Sequence, residues 1–185
     1  MLAAWLESEG RSVVATREPG GTELGVEIRH LVQHRRGHVA PRAEALLYAA
    51  DRAHHIATLV RPALEQGSVV LQDRYLDSSV AYQGAGRVLD GEQIRALSMW
   101  AAEDLMPDLT ILLDLDPAVG SSRRDARQGE YDRLEAERLE FHERVRNAYL
   151  ALAAAEPERF LVLDATLSPD ALHEQIRERV SEGLA

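Results

Sequence analysis

Short apolar runs alternate along the chain with longer segments in which apolar residues recur at helical spacing. Four of these runs lack strict polar alternation, which is the pattern of strands buried on both faces of a parallel sheet. They are SVVAT at 12–16, SVVLQ at 68–72, LTILLDL at 109–115 and RFLVL at 159–163. Because helical segments lie between them, the pattern predicts an α/β fold whose parallel sheet is covered by helices on both faces.

The longest predicted helix covers residues 41–66. Pro41 suits its first turn, Gly67 ends it, and Pro62 predicts a kink near residue 61. A second long helix is predicted over residues 132–155. Neither internal repeats nor a domain-sized linker interrupts the 185 residues, so we expect a single domain over residues 1–185.

Composition excludes several classes of function. No apolar run approaches the roughly 18 residues of a membrane span. The net charge of -10 argues against general nucleic-acid binding, which needs a basic face. Cysteine is absent, which rules out disulfides and thiolate metal sites and leads us to expect a cytoplasmic protein. HExxH and GxSxG are also absent, which argues against a zinc hydrolase and a serine esterase.

Every one of the 21 basic residues is arginine, so the sequence contains no lysine. A nucleotide-binding P-loop, GxxxxGK[S/T], needs a lysine to reach the nucleotide phosphates. These 185 residues therefore cannot contain such a loop.

Chemistry-bearing residues follow the predicted strands, where an open parallel sheet places its ligands. After the second strand, Asp73 is a candidate metal ligand and Arg74 a candidate phosphate ligand, although the two also suit a structural ion pair. After the first strand comes REPGGT at 17–22, which is either an anion-binding turn with a cis bond before Pro19 or a plain connecting turn.

Two further groups of residues suit a nucleotide. Tyr48 and Arg52 are four apart and share one helix face, so they can stack on a base and donate to it, or form an ordinary surface pair. Arginines gather around Gly129, where they can clamp phosphates or form a solvated helix face with the acidic residues among them.

These segments together resemble the bacterial thymidylate kinase family. The resemblance rests on REPGGT, LLYAADRA, DRYLDSSVAYQGAGR, LTILLDLDP and GEYDRLEAE, which occur in the family's order and cover essentially the whole chain. It implies a three-layer, P-loop kinase-like fold with a mobile lid at about 121–134. It also implies a homodimer that uses Mg²⁺ and transfers the γ-phosphoryl group of ATP to dTMP, giving dTDP.

The resemblance also implies roles for residues that match the family's motifs. Arg74 would hold the dTMP phosphate, and Asp73 would organise the metal. Tyr48 would stack on thymine, and Arg52 would donate to a thymine carbonyl.

Further acceptor-side roles come from the same motifs. Ser79 would lie near the thymine ring, and Tyr82 would crowd the position of a 2′-hydroxyl. Glu18 and the backbone of Gly20 and Gly21 would line the acceptor site.

On the donor side, arginines of the lid would reach the ATP phosphates. These are Arg123, Arg124 and Arg127. Ala165 and Thr166 would lie in the loop on the adenine side.

The sequence departs from the family at its start, where the family has a central strand and then a P-loop. We expect the first strand and the P-loop to be absent from these residues, and the chain alone to bind ATP poorly and to be weak or inactive. Two alternatives stay open. One is a non-catalytic, nucleotide-binding or dimerising paralogue, and the other is a kinase for another nucleotide.

Overall fold

The computed structural model describes residues 1–34, 37–125, 132–135 and 137–184, with only the backbone given for residues 124, 125 and 184. The described strands are β1 (Val13–Arg17), β2 (Val69–Asp73), β3 (Thr110–Asp114) and β4 (Phe160–Asp164). The described α-helices are α1 (Leu2–Ser8), α2 (Glu23–Arg29), α3 (Pro41–His55), α4 (Arg61–Glu65), α5 (Leu76–Ser79), α6 (Gly91–Ala101), α7 (Pro117–Asp125), α8 (Leu139–Ala155) and α9 (Pro169–Leu184). Three π-helical turns, at His30–His34, Ile56–Val60 and Val80–Gly86, continue α2, α3 and α5.

The strands are the four that the apolar runs predict, and all pairings are parallel. β1 pairs with β2, with Val13 opposite Val69, and β3 pairs with β4, with Thr110 opposite Phe160. The described residues form two two-stranded parallel sheets. The reason is that β2 and β3 do not pair with each other, so each keeps one edge free of ladder hydrogen bonds within the described chain.

The predicted break near Pro62 is confirmed. α3 ends at His55, the π-helical turn Ile56–Val60 follows, and α4 begins at Arg61. A proline inside a helix lacks an N–H and its ring crowds the carbonyl four residues earlier, and the wider π turn accommodates both effects. Gly67 then ends the segment with a φ of 78°, in the left-handed region that glycine adopts freely.

The second long helix begins later than predicted, at Leu139 rather than at residue 132. The Asp132 carboxylate instead accepts hydrogen bonds from the backbone N–H groups of Leu134 and Glu135, at 2.8 and 2.7 Å. A short acidic side chain of this kind favours a turn over a helix because it offers the backbone another partner.

The main core lies between α2, α3, the π-helical turn Val80–Gly86 and α8. Its buried members are Ile28, Val32, Tyr48, Ala81, Leu134, Phe141 and Val145. Gly86 allows the turn to approach α8, because a Cβ there would lie 2.7 Å from the Phe141 ring. Among the described residues, no helix is both long and apolar enough to cross a membrane.

Candidate active site

One pocket lies beyond the carboxyl ends of β1 and β2, and it is lined by side chains from the segments after both strands, from α3 and from the π-helical turn Val80–Gly86. Six of the predicted substrate-binding residues line it: Glu18, Tyr48, Arg52, Arg74, Ser79 and Tyr82. The residue spacing and the family resemblance together therefore point to side chains that line one pocket.

Arg52 is the most constrained of these groups, being 2% exposed. Its Nε donates to Glu18 at 2.9 Å, and its two terminal nitrogens donate to Ser98 and Ser79, each at 3.2 Å. A guanidinium carries five N–H donors. These bonds use three of them, which leaves one on each terminal nitrogen for a ligand in the pocket.

The REPGGT turn joins the strands to α3 by hydrogen bonds. The backbone N–H of Glu18 donates to the Asp73 carbonyl at 2.9 Å, and that of Gly20 donates to the Asp51 carboxylate at 3.2 Å. The Glu18–Pro19 peptide bond is cis, which is one of the two conformations that the sequence left open. Gly20 itself is not among the residues that line the pocket, so its contribution is to the shape of the turn.

Arg74 follows β2 in a left-handed backbone conformation, with a φ of 67°. Its guanidinium carbon lies 4.8 Å from the centroid of the Tyr82 ring, so cation and ring face each other at the pocket. Loss of water on the pocket side of this otherwise exposed residue works against the charged form, but the phenols of Tyr82 and Tyr149 and the Asp73 carboxylate hold the pKa of Arg74 above its ordinary value. The pocket therefore keeps a permanent cation beside an aromatic ring.

Tyr48 supplies a neutral aromatic surface. Burial, together with the negative charge of Glu44, raises the pKa of Tyr48 to about 12, so its phenol is protonated at neutral pH. The side chain is 8% exposed and belongs to the core cluster as well as to the pocket lining. The rigid core behind it fixes the plane that a bound ring would meet.

Asp73 ends β2 and is exposed, outside the lining of the pocket. Within the described residues no group of three or more His, Cys, Asp or Glu side chains is arranged to hold a metal ion. One exposed carboxylate that precedes an arginine nevertheless suits Mg²⁺, which usually takes one or two protein carboxylates and keeps water and substrate phosphates as its other ligands.

A second group of predicted residues meets at the carboxyl ends of β3 and β4. Arg123, in α7, donates to the Ala165 carbonyl at 3.0 Å, and the Thr166 N–H donates to Asp164 at 2.8 Å. None of Arg123, Ala165 and Thr166 lines the pocket. The Arg124 side chain and all of Arg127 lie outside the described residues, as does part of the predicted lid.

A buried ion cluster, which the sequence did not predict, lies behind the pocket. Glu44 is 0% exposed and accepts hydrogen bonds from Gln83 at 3.0 Å, Arg87 at 3.3 Å and Arg133. Burial alone would raise the pKa of Glu44, but the bonds from Gln83 and Arg133 and the charges of both arginines hold it below its usual range. Arg133 also donates to the Val32 carbonyl at 2.9 Å. The cluster therefore joins α3, the π-helical turn after α2 and the segment that leads into α8.

Two further polar contacts beside the pocket were also missed. His55 is fully buried against Glu18, and the Tyr149 hydroxyl lies 2.6 Å from that of Ser78, which lines the pocket. His55 follows Arg52 by three residues, so helical spacing placed it on the same side of α3 as Arg52. For Tyr149 no local signal existed, because its partner lies 71 residues away.

Comparisons with known proteins agree with this geometry. Residues 1–176 match the family model described as thymidylate kinase. The thymidylate kinase of Clavibacter michiganensis subsp. michiganensis is 66% identical over 185 residues, which cover 100% of this chain and 88% of that protein. The thymidylate kinase of Leifsonia xyli subsp. xyli is 68% identical over 180 residues, which cover 97% of this chain and 85% of that protein. The crystal structure of thymidylate kinase from Ehrlichia chaffeensis superposes with a TM-score of 0.77 at 29% identity, covering 97% of this chain and 88% of that one. The chain belongs to the thymidylate kinase family.

Proposed function

We propose that the chain is a nucleoside monophosphate kinase that binds dTMP in the pocket and accepts the γ-phosphoryl group of ATP onto it, giving dTDP. The observation that carries this proposal is the convergence of six predicted acceptor residues in a single pocket. Two fixed cations, a neutral tyrosine and a serine hydroxyl there match the phosphate, ring and carbonyls of a thymidine nucleotide.

The base is held by the inner part of the pocket. Tyr48 stacks on thymine, and the remaining N–H donors of Arg52 meet a thymine carbonyl while Ser79 lies beside the ring. A site that offers a fixed donor to a carbonyl strongly rejects a base that lacks the acceptor, since a buried donor would stay unpaired. Thymine is therefore preferred over cytosine-type bases.

The phosphate and sugar are held nearer the mouth. Arg74 pairs with the dTMP phosphate, and Tyr82, whose ring faces Arg74 at 4.8 Å, occupies the position where a 2′-hydroxyl would need room. Glu18 and the Gly20 turn complete the acceptor side. The arrangement favours a deoxynucleotide monophosphate over its ribose counterpart.

The reaction needs no enzyme nucleophile. An oxygen of the dTMP phosphate attacks the γ-phosphorus, a new P–O bond forms, the bond to the β–γ bridging oxygen breaks, and ADP leaves. Catalysis consists of in-line positioning and of neutralising the charge that spreads over the transferring group. Asp73 would hold Mg²⁺ through its water, and the ion would add positive charge at the phosphates.

The donor nucleotide is placed on the other side of the strand ends. Ala165 and Thr166 border the adenine, and Arg123, Arg124 and Arg127 of the lid at about 121–134 reach the phosphates. Support for the adenine side is the contact of Arg123 with Ala165, which puts lid and loop side by side.

We further propose that a strand and P-loop outside these residues complete the donor side. The 185 residues contain no lysine, and β2 and β3 stay unpaired with each other in the described chain. An unpaired strand edge is a template for another strand. The chain alone is then expected to bind dTMP but to turn over slowly.

The family resemblance adds a homodimer that works in the cytoplasm. An apolar stripe on α3 supports the dimer, with Leu46 at 58% exposed and Ala50 and Ala53 on the same helix face. α3 packs against α6, which carries Trp100 at 78% exposed. Such exposed apolar surface indicates a protein partner, and a second copy is the one we propose.

A dTMP-dependent ADP-release assay tests the kinase proposal, with ribothymidine monophosphate as the alternative acceptor. We expect slow ADP release that requires dTMP and is lost in Arg74→Ala. Turnover at the 1–10³ s⁻¹ typical of enzymes would contradict the need for a P-loop outside these residues. Binding of dTMP with no ADP release at all would favour the alternative, a non-catalytic paralogue, which the absence of lysine also suits.

A further inference from the structure

His55 is a fully buried polar residue on the last turn of α3, with both ring nitrogens engaged. Its Nδ1 lies 3.0 Å from Glu18 Oε1, and its Nε2 lies 2.7 Å from the Thr16 hydroxyl. The imidazole therefore joins β1, the turn after it and α3 in one hydrogen-bonded line. It does not line the pocket, so it acts on a ligand only through other residues.

The Glu18 carboxylate is held from two sides. Its Oε1 faces His55, and its Oε2 accepts from Arg52 at 2.9 Å. A carboxylate only accepts hydrogen bonds, so His55 Nδ1 carries the proton whether or not the ring is charged. Without His55, one buried carboxylate oxygen would lose its partner and the group would be free to rotate away from Arg52.

The position of the Arg52 guanidinium depends on the Glu18 carboxylate. Its other two bonds go to the uncharged hydroxyls of Ser79 and Ser98, both at 3.2 Å, whereas the bond to Glu18 joins opposite charges and is shorter, at 2.9 Å. A buried ion pair adds a Coulomb attraction that a neutral hydroxyl does not supply. Glu18 therefore sets the guanidinium plane, and His55 fixes Glu18.

The turn is also built around the imidazole. A Cβ on Gly21 would come within 2.5 Å of His55 Nε2 and 2.6 Å of the Thr16 hydroxyl. Only glycine leaves room for this contact, so the second glycine of REPGGT and His55 fit as a pair.

We infer that His55 is a positioning residue for base recognition, which acts through Glu18 to aim the free N–H donors of Arg52 at the 4-position of the pyrimidine. Thymine carries a carbonyl there, and 5-methylcytosine carries an amino group that cannot accept. The inference rests on the proposed dTMP site. It assigns to a residue outside the pocket the discrimination between these two bases.

Calorimetric titration of the purified chain with dTMP and with 5-methyl-dCMP tests this role in three variants. In His55→Asn the amide donor lies near the position of the imidazole Nδ1, and in His55→Gln it lies near the position of Nε2. His55→Leu removes both contacts. We expect His55→Leu and His55→Gln to weaken dTMP binding about tenfold and 5-methyl-dCMP binding less than about twofold, because only dTMP uses the aimed donors. His55→Asn should restore most of the preference for dTMP.

The outcomes separate this inference from the proposed function. A wild-type chain that fails to bind dTMP contradicts the dTMP site itself. A wild-type chain that binds dTMP, with His55→Gln retaining the full preference or His55→Asn losing it, refutes the positioning role alone. Asn and Gln are both polar, so their comparison stands even where the Leu variant does not fold.

Discussion

Two substitutions of Arg74, to Gly and to Ala, distinguish the effect of its backbone conformation on stability from the effect of its charge on phosphate binding. At a φ of 67° a residue with a Cβ is strained, by roughly 1–2 kcal/mol. Glycine relieves that strain but loses about 0.4–1 kcal/mol through the entropy of the unfolded chain. We therefore expect Arg74→Gly to be about 1 kcal/mol more stable than Arg74→Ala, which corresponds to roughly 2–4 °C in melting temperature.

Both variants should lose phosphate binding. A hydrogen bond to a charged group contributes about 1.5–3 kcal/mol, so dTMP should bind roughly tenfold to a hundredfold more weakly. Urea denaturation measures the stability difference, and calorimetric titration measures the affinity. Near-wild-type dTMP affinity in Arg74→Gly would refute the phosphate role, and a Gly variant less stable than the Ala variant would refute the account of the strained backbone.

Val88 offers the matched control for the backbone effect. It also has a positive φ, 57°, is 78% exposed and does not line the pocket. The Leu89 N–H donates to the Gly84 carbonyl at 2.9 Å, so Val88 occupies the left-handed position of a helix C-cap that glycine favours. Val88→Gly should be about 1 kcal/mol more stable than Val88→Ala and should leave dTMP affinity unchanged.

Three further predictions concern groups away from the dTMP phosphate. Glu44→Gln should lower the free energy of unfolding by about 3 kcal/mol in urea denaturation, because Arg133 loses its counter-charge and Arg87 keeps only Glu137. Burial and the charge of nearby Glu18 raise the pKa of Asp51, so the folded state favours the protonated acid and loses stability as pH rises through that pKa. Asp51→Asn should accordingly match the wild type at pH 3 and exceed its stability at pH 7, and equal stability at both pH values would contradict the shift. Trp100→Glu should give a monomer by sedimentation velocity with dTMP affinity retained, whereas an unchanged mass would rule out this face as the dimer contact.

Local sequence signals were sufficient to predict the four strands and the shared helix face of Tyr48 and Arg52, which line the pocket. Short apolar runs predicted all four strands, and the spacing of Tyr48 and Arg52 placed both on one face of α3, the face that lines the pocket. Both signals depend on neighbours within a few residues, which is the range over which backbone period and side-chain direction are coupled.

Contacts between distant segments were outside the reach of such signals. Glu44 reads as an ordinary helix-surface acid until Gln83, Arg87 and Arg133 are brought to it from 39 to 89 residues away. The start of α8 was misplaced because Asp132 bonds to the next backbone N–H groups instead of joining the helix. The separation of the two sheets likewise depends on pairing between strands, which no single strand's sequence reveals.

The most direct test of the dTMP site is a calorimetric titration of the wild-type chain with dTMP and with thymidine under the same conditions. Since the two ligands differ only in the phosphate that Arg74 should hold, the account predicts that dTMP binds at least about tenfold more tightly than thymidine. Equal affinities for the two, or no binding of dTMP, would contradict it.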